Sequence, residues 1–275
     1  MMEVALYKMQ CITNMHVGNG DNGYSVIGNE VEKDPVLGTP VIHGSSIKGA
    51  LREYCALRKE VEIENWFGSE INKTQKNQEI STPGKLRFLS AQLLARPVRV
   101  SLGSASYALA TTVAMLKAYC KLCEKFGVPS LLTLEELNQL DDNKNFRVNT
   151  DEKRVGAVEG CEIREKASIR IHAFLQSWLS GEDVVILSEK LMREIELPII
   201  ARNKLENGIS TNLWYEEIVP HESVFYTIIF SDEIEMDDFD KIIDKKVVQI
   251  GGNASIGCGY IEMKRMNSRE KEIRK

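Results

Sequence analysis

The chain has 275 residues, a formal net charge of −5 and 43% hydrophobic residues. This length and apolar content suit one large domain or two small ones. The acidic balance argues mildly against nonspecific nucleic-acid binding, although a local basic track on an acidic body stays compatible with it. No apolar run is long enough for a bilayer and the first residues lack a signal-peptide pattern, so we expect no membrane partner. The six cysteines are no disulfide framework in a chain this long, which predicts a reducing cytoplasm.

The first predicted element is a strand over residues 3–13, where apolar residues recur with β-type spacing. A loop rich in glycine and asparagine follows over residues 14–23, with His16 at its mouth. A lone histidine is compatible with a structural role as well as with ligand binding. We expect residues 24–34 to be extended and polar, and residues 35–38 to form a turn.

The most distinctive stretch is residues 40–52, where three apolar positions lead through a glycine and two serines into a helical pattern. Ser45 or Ser46 is placed to cap the helix by accepting from a free N–H of its first turn. Lys48 and Arg52, one turn apart, would face the same side as the positive end of the helix dipole. The stretch suits an anion such as phosphate, but an ordinary capped helix also explains it.

The helix is predicted to end near residue 59, and the polar composition of residues 60–83 indicates a mobile surface loop. Residues 84–100 predict a pair of strands with four cations, which either line an RNA path or form a solvated strand face. These cations are Lys85, Arg87, Arg96 and Arg99. An amphipathic helix is predicted over residues 105–126.

A C-x-x-C pair, Cys120 and Cys123, falls within this predicted helix. No second cysteine or histidine pair stands near it in the sequence. Buried core thiols are therefore favoured over a metal or redox role.

The second distinctive stretch is residues 197–220, in which Asn207-Gly208 predicts a hairpin turn. One arm carries cationic and amide side chains and the other carries aromatic ones. This combination suits contact with unstacked bases, whereas a hairpin with a packed aromatic tip is the alternative. The side chains concerned are Arg202, Asn203, Lys204, Trp214 and Tyr215.

The last third of the chain predicts a buried strand over residues 223–231 and a helix over residues 234–246. Residues 251–259, the glycine-rich loop, then lead into a closing strand. Four glycines within these nine residues allow backbone N–H groups to gather around an anion, although plain turn chemistry is also possible.

Five motifs, which span nearly the whole chain, are recognisable as a set. They are His16-Val17-Gly18-x-Gly20, Gly44-Ser-Ser-Ile-Lys-Gly-Ala-Leu-Arg52, Leu86-Arg-Phe-x-x-Ala-x-Leu-Leu-x-x-Pro-Val-Arg99, Ala201-Arg-Asn-x-Leu-x-Asn-Gly-x-Ser-x-Asn-Leu-Trp-Tyr-Glu-Glu217 and Gly251-Gly-Asn-x-Ser-x-Gly-x-Gly259. With them the chain resembles the RAMP superfamily of CRISPR effector proteins, and more narrowly the repeated backbone subunit of the type III-B (Cmr) RNA-targeting complex.

The resemblance implies an α+β fold: a ferredoxin-like (RRM-like) core with large insertions, including a protruding β-hairpin thumb. It implies a single RAMP domain over residues 1–275. The core would comprise residues 1–59, about 84–127 and 218–265, and the insertions about 60–83 and 131–217. The element order read from the sequence is compatible with such a sheet.

The resemblance also implies partners: a guide RNA (crRNA), target RNA, other copies of the chain stacked in a filament, and sibling Cmr subunits. The residues assigned to guide binding are His16, Ser45, Ser46, Lys48, Arg52, Arg99, Gly251, Gly252, Asn253, Ser255 and Gly257. Those assigned to the thumb and target contact are Arg202, Asn203, Asn207, Asn212, Trp214 and Tyr215. Cys258 stands where the loop often carries arginine, so one phosphate contact is expected to be missing.

In the family, an aspartate in the loop after the first strand cuts target RNA with a divalent metal, Mg²⁺ or Mn²⁺. Here Gly28 stands at that position and offers neither charge nor proton acceptor. We therefore expect the chain to bind guide and target but to cut poorly or not at all, with a metal needed only if it is active. Asp21 and Asp34 are nearby carboxylates that could substitute in an active ribonuclease. A phosphoryl-transfer enzyme is disfavoured because the chain has no Walker lysine motif and no dinucleotide fingerprint.

Overall fold

The computed structural model describes residues 2–18, 28–59, 62–69, 82–179, 181–233 and 236–266. In these ranges the strands are β1 (Glu3–Cys11), β2 (Val41–Ile42), β3 (Arg87–Phe88), β4 (Ala91–Leu102), β5 (Tyr107–Thr112), β6 (Phe146–Arg147), β7 (Ala157–Val158), β8 (Cys161–Glu162), β9 (Glu165–Lys166), β10 (Val184–Leu187), β11 (Ile199–Glu206), β12 (Ile209–Glu217), β13 (Val224–Ser231), β14 (Lys246–Gln249) and β15 (Tyr260–Arg265). The α-helices are α1 (Gly44–Leu57), α2 (Ile63–Phe67), α3 (Val113–Lys125), α4 (Leu134–Asn138), α5 (Ile169–Trp178), α6 (Glu189–Glu194) and α7 (Asp237–Ile243). A 3₁₀ turn covers Ala254–Ile256. The mixed α+β class predicted from the sequence is confirmed.

One large sheet organises the fold, with its strands in the order β14-β15-β1-β13-β4-β5-β10-β6-β9. β1 lies between β15 and β13 and is antiparallel to both, with Tyr7 opposite Thr227 and Met9 opposite Met263. β13 is in turn antiparallel to β4. The first and last described strands are therefore neighbours, which brings the loop after β1 next to the loop before β15.

Both faces of this sheet are covered, which explains why β13 is apolar at most positions on both of its faces. Along β13, Phe225 and Ile229 pack in one core with α1 and α7. Tyr226 and Ile228, which point the other way, pack in a second core with α3 and α5. Successive side chains of a strand alternate between faces, so both sets of β13 side chains are buried, and the hydroxyl of its buried Thr227 donates to the Leu89 carbonyl at 2.8 Å.

The predicted helix over residues 105–126 is wrong in its first third. Tyr107–Thr112 form β5, which pairs antiparallel with β4 and parallel with β10. The helix α3 starts only at Val113, where the Thr112 side chain accepts from the Met115 N–H and caps it. Pairing on both edges overrides the helical preference of the alanines and leucine in this segment. The helix predicted over residues 234–246 is likewise shorter, covering Asp237–Ile243 in the described part.

The predicted mobile loop over residues 60–83 falls largely outside the described residues. Within the described part, no helix has the length and apolar character that crossing a membrane requires.

Candidate nucleic-acid interface

The start of α1 differs from the predicted cap. The helix begins at Gly44, with His43 as its N-cap residue and no side-chain cap from its own first turn. Ser45 and Ser46 lie inside the first turn, so their assignment as capping residues is wrong. The hydroxyl of Ser90 accepts from the Gly44 N–H at 3.2 Å instead. The cap comes from a distant segment because β2, which ends just before His43, is paired with β4.

A cationic cavity of about 480 Å³ opens beside this helix start. Lys48, Arg52 and Arg87 line it, and no acidic residue is among its described lining residues. The guanidinium of Arg52 donates to the Gly68 carbonyl at 3.0 Å, which holds the side chain in place. The predicted convergence of Lys48 and Arg52 on one side of α1 is therefore observed. The first turn of α1 and three cations together make this cavity receptive to phosphate.

The glycine-rich loop lies directly against the segment that follows β1. The Gly252 N–H donates to the His16 carbonyl at 2.9 Å, and the Gly259 N–H donates to the Asn14 carbonyl at 2.9 Å. Gly251 has a φ of +91°, and a Cβ there would stand 2.4 Å from the His16 carbonyl oxygen. Glycine at this position is required both by the backbone conformation and by the close approach.

The predicted nest of free N–H groups in this loop is wrong in part. The Gly257 N–H donates to Ala254 and the Cys258 N–H to Asn253, at 3.0 and 3.2 Å, so these groups are satisfied within the loop. The N–H groups of Gly252 and Gly259 are also used, as described above. An anion at this loop would thus rely on other groups, among which the exposed Ser255 is placed to contribute.

The two anion-receptive surfaces lie on neighbouring elements. α1 packs against β14, the strand that leads into the glycine-rich loop. The described lining of the cavity at α1 comes from residues 67–69 and 82–88 rather than from the loop. From the sequence we expect residues 44–52 and 251–259 to share one positive groove, and this stays a prediction.

His16 is held in one tautomer by the base of the hairpin. Its Nδ1 lies 2.8 Å from the Glu217 carbonyl oxygen. Because a carbonyl can only accept, Nδ1 carries the proton and Nε2 is left as the acceptor in the neutral ring. A Cβ at Gly18 would stand 3.0 Å from Nε2, so the glycine makes room for the ring.

The predicted hairpin is confirmed. β11 and β12 form a separate two-stranded sheet, and Asn207 and Gly208 take the positive φ values of +50° and +81° that a tight turn requires. Arg202 stands directly opposite Trp214, and the pair shares one face of the hairpin. Asn203 opposite Leu213 belongs to the other face. Tyr215, opposite Ala201, belongs to the same face as Asn203, so the predicted contact residues are divided: Arg202 and Trp214 lie on one face, and Asn203 and Tyr215 on the other.

Glu216, which the sequence analysis did not single out, collects hydrogen bonds from three segments. Its carboxylate accepts from Arg202 Nε at 3.0 Å and from Asn253 Nδ2 at 3.0 Å. It also accepts from Trp214 Nε1 at 3.2 Å and from Asn29 Nδ2 at 3.3 Å. Arg202 and Asn253, both predicted to contact RNA, thus have a buried internal partner. We call these five residues the Glu216 junction.

Burial of Glu216 alone would raise the pKa of its carboxyl, but hydrogen bonds from Trp214, Arg202 and Asn253 lower it below the usual value. A lowered folded-state pKa stabilises the fold above the unfolded pKa of about 4.3 and loses that stabilisation as the pH falls through the folded value.

We therefore expect the stability difference between the unmodified chain and Glu216→Gln to be constant near neutral pH and to shrink in acid. The pKa of Arg202 is raised by its hydrogen bond to Glu216, so Arg202 stays charged in this range. Asn29, Trp214 and Asn253 have no group that titrates in acid, so Glu216 is the junction residue that changes charge. Denaturant melts of both proteins between about pH 3 and pH 7 measure the difference. If the difference in the free energy of unfolding between the two proteins stays constant down to the lowest pH, the ionised Glu216 carboxylate does not stabilise the fold.

Residues 28–34, the strap segment, run along the base of the hairpin. The Asn29 N–H donates to the Tyr215 carbonyl and the Glu217 N–H to the Asn29 carbonyl, at 3.3 and 2.9 Å. The Glu217 carboxylate accepts from the Lys33 ammonium at 2.8 Å. Gly28 is therefore placed at the hairpin base, and a Cβ there would meet nothing within 4 Å.

The two carboxylates considered as replacements for the missing aspartate are Asp21 and Asp34. Asp21 lies outside the described residues. The Asp34 carboxylate accepts from the N–H groups of Val36 and Leu37, both at 2.9 Å, and from Gln92 at 3.3 Å. It forms the turn after the strap segment, so its candidacy as a replacement for the missing aspartate is not supported by its contacts.

The predicted cation path along β4 is wrong for Arg96. Its guanidinium is 5% exposed and donates to the carbonyls of Met192, Ile195 and Glu196. Arg96 thereby fixes the connection between α6 and β11. Arg99 pairs with Glu159 at 3.2 Å, and its side chain nevertheless remains 71% exposed.

The C-x-x-C pair behaves as predicted for core thiols. Cys120 and Cys123 are buried, and burial raises the pKa of Cys120 to about 12. The Cys120 thiol donates to the Leu132 carbonyl at 3.4 Å. Among the described residues, no group of three or more histidine, cysteine or acidic side chains is arranged to hold a metal ion.

The fold and site define a class of protein: a mixed α+β domain with a cationic helix start, a glycine-rich loop against the first strand, and a projecting hairpin. Residues 8–262 match the profile of the RAMP superfamily, and the chain belongs to that family. The resemblance read from the five sequence motifs is confirmed.

Within that family the chain is 28% identical to the CRISPR system Cmr endoribonuclease Cmr4 of Pyrococcus furiosus, over 95% of each chain. Its fold is similar to a chain of the type III-B Cmr-beta complex bound to cognate target RNA, with a TM-score of 0.74 at 20% identity over 96% of this chain and 97% of that one. It is also similar to oligomeric Cmr4 from Pyrococcus furiosus, with a TM-score of 0.69 at 20% identity over 98% and 100% of the two chains. At these identities the structural likeness shows the shared fold.

Proposed function

We propose that this chain is the crRNA-binding backbone subunit of a type III-B CRISPR effector, which stacks along the guide and contacts target RNA. The observation that carries the proposal is the match to Cmr4 over 95% of both chains. The cationic cavity beside α1, with Lys48, Arg52 and Arg87, supplies a phosphate-receptive surface on an otherwise acidic chain.

The proposal includes a ferredoxin-like core and a thumb. The central order β15-β1-β13-β4, with all neighbours antiparallel, is the order expected of two interleaved βαβ units. We assign the hairpin of β11 and β12 as the thumb, because it forms its own sheet and most of its side chains beyond the base are exposed.

Other copies of the chain and sibling Cmr subunits are the proposed protein partners, in the cytoplasm. Support comes from the relatives, one of which is described as oligomeric Cmr4 and another as part of a Cmr complex bound to target RNA.

We further propose that target-RNA cleavage is lost or impaired. A divalent metal such as Mg²⁺ or Mn²⁺ needs oxygen donors, and Gly28 provides no side-chain donor. Asp34 is occupied by turn N–H groups, and the described residues hold no acidic cluster of ligand geometry. The described residues around Gly28 therefore do not fit such a metal. An active ribonuclease would need a carboxylate from outside the described residues, such as Asp21.

Replacing Lys48 with glutamine is expected to weaken guide-RNA binding roughly three- to fivefold at physiological salt, because one phosphate contact is lost. The slope of log affinity against log salt should fall by about 0.7. Gel shifts of the assembled complex with a crRNA at several salt concentrations measure both quantities.

The matched control is Lys190→Gln, since the Lys190 side chain is 86% exposed on α6 and pairs only loosely with Glu194, at 3.9 Å. This variant should leave affinity and slope unchanged. Equal effects of the two substitutions would mean that the cavity at α1 does not hold the guide. Failure of the unmodified chain to co-purify with crRNA and sibling subunits would refute the proposed function itself.

A further inference from the structure

The Glu216 junction is the place where three separately folded surfaces are tied to one side chain. Arg202 and Trp214 belong to the two arms of the hairpin, Asn253 to the glycine-rich loop, and Asn29 to the strap segment. The hairpin is attached at its base: β11 and β12 pair with each other, and Glu216 at the end of β12 also forms a single parallel β-bridge to Asn29 of the strap segment. Its orientation relative to the body therefore depends on contacts at its base.

The carboxylate of Glu216 is saturated by these contacts. An ionised carboxylate offers about four acceptor directions, and four donor groups converge on it. The residue is only 4% exposed, so water cannot replace a lost donor freely. Glu216 thus has no capacity left for RNA, and its role lies in fixing the groups around it.

Asn253 links the junction to the backbone of the glycine-rich loop. It holds a left-handed backbone conformation, with a φ of +64°, at the start of the 3₁₀ turn of that loop. Asparagine adopts this region more readily than most non-glycine residues, and the surrounding contacts fix it here. The hydrogen bond from its side chain to Glu216 is one such contact, and it links the conformation of the loop to the position of the hairpin.

We infer that Glu216 is a positioning residue that couples the guide-holding loop to the target-facing hairpin. The inference rests on the proposed function for the identity of the two surfaces. A phosphate that settles at the loop shifts Asn253, and the shift reaches Arg202 and Trp214 through the carboxylate that all three share, alongside a 3.7 Å contact from the Arg202 guanidinium to the Cys258 thiol. Hairpin orientation then depends on whether the loop is occupied.

The first test needs no RNA. Glu216→Gln removes the charge at nearly constant volume, and we expect amide hydrogen exchange to speed up about ten- to a hundredfold in the hairpin base, the glycine-rich loop and the strap segment together. The control is Glu206→Gln, because Glu206 lies near the hairpin tip and pairs with Lys204 at the surface. This control should change none of the three segments. Faster exchange confined to the hairpin, or no change, would overturn the inference.

The second test uses Trp214 as a reporter of coupling. The other two tryptophans, Trp66 and Trp178, are buried in the core, so the emission difference between the unmodified chain and Trp214→Phe isolates the hairpin signal. We expect crRNA to change this difference signal in the unmodified complex. With Glu216→Gln, crRNA affinity should stay within about threefold, since no phosphate contact is removed, while the Trp214 response is lost.

A purely structural role for Glu216 would lower crRNA affinity and keep the response, which contradicts coupling. Glu216→Asp keeps the charge on a shorter stem and should restore part of the response. If crRNA does not bind the unmodified chain, the proposed function fails, while the exchange experiment still decides whether the junction holds the three segments together.

Discussion

Replacing Gly28 with aspartate is expected to give the assembled complex target-RNA cleavage that the unmodified chain lacks. The position lies at the hairpin base beside Asn29, and a Cβ there meets nothing within 4 Å. The backbone at Gly28 does not have the positive φ that only glycine tolerates well. A carboxylate can therefore be installed without strain at the position where the resemblance places the catalytic aspartate.

The expected gain is on the order of a hundredfold or more in the rate of target cleavage by the assembled complex with Mg²⁺, the scale typical of a positioned acid–base group. Single-turnover assays with a labelled target measure it. Gly28→Asn is the matched control, because it has nearly the same shape and hydrogen-bonding reach but no charge, and it should remain inactive. Rapid cutting by the unmodified chain would refute the proposed loss, and would direct attention to a carboxylate outside the described residues.

The strands β1 and β13 were the most predictable part of the fold. β1 and β13 carry strong local signals, since their apolar spacing reflects burial in the centre of the sheet. The hairpin was equally predictable, because the Asn207-Gly208 pair favours the positive φ values of a tight hairpin turn. These elements are specified by residues next to one another in sequence.

The misassigned elements depend on partners far away in the chain. Tyr107–Thr112 form a strand because β4 and β10 flank them, and Gly44 is capped by Ser90 rather than by its neighbours. Arg96 was predicted at the surface, yet its guanidinium serves three carbonyls of the α6–β11 connection. Sequence spacing carries no record of such tertiary contacts.

Glu216 was missed for a related reason. A glutamate in a polar strand ordinarily has a solvated side chain, and the neighbouring residues do not indicate that four hydrogen-bond donors converge on its carboxylate. One signal was available: β12 runs directly into Ile218 and Val219, which are buried, and both adjacent glutamates are buried with them. The approach to this apolar segment could have indicated an enclosed carboxylate, although not its partners.

The second large effect is expected for Gly251→Ala. An alanine Cβ would stand 2.4 Å from the His16 carbonyl oxygen, and the φ of +91° is one that side chains with a Cβ rarely adopt. Because the clash is with backbone, no side chain can move aside to relieve it. The loop must lift from residues 14–16, which also breaks the hydrogen bond from the Gly252 N–H. We expect the free energy of unfolding to fall by about 2–4 kcal/mol, and the melting temperature by about 5–10 °C.

The neighbouring glycine provides an unusually close control for this substitution. A Cβ at Gly252 would make only an ordinary contact, 3.9 Å from the same carbonyl, and its φ is not in the left-handed region. Gly252→Ala should therefore cost less than about 1 kcal/mol. Suppose that the glycine-rich loop binds crRNA only while it is packed against His16. At a temperature where both variants are still folded, Gly251→Ala should then lose crRNA binding, whereas Gly252→Ala should retain it. Comparable crRNA binding by the two folded variants would show that the seating of the loop is structural and that the guide is held elsewhere, with the cationic cavity at α1 as the remaining phosphate surface.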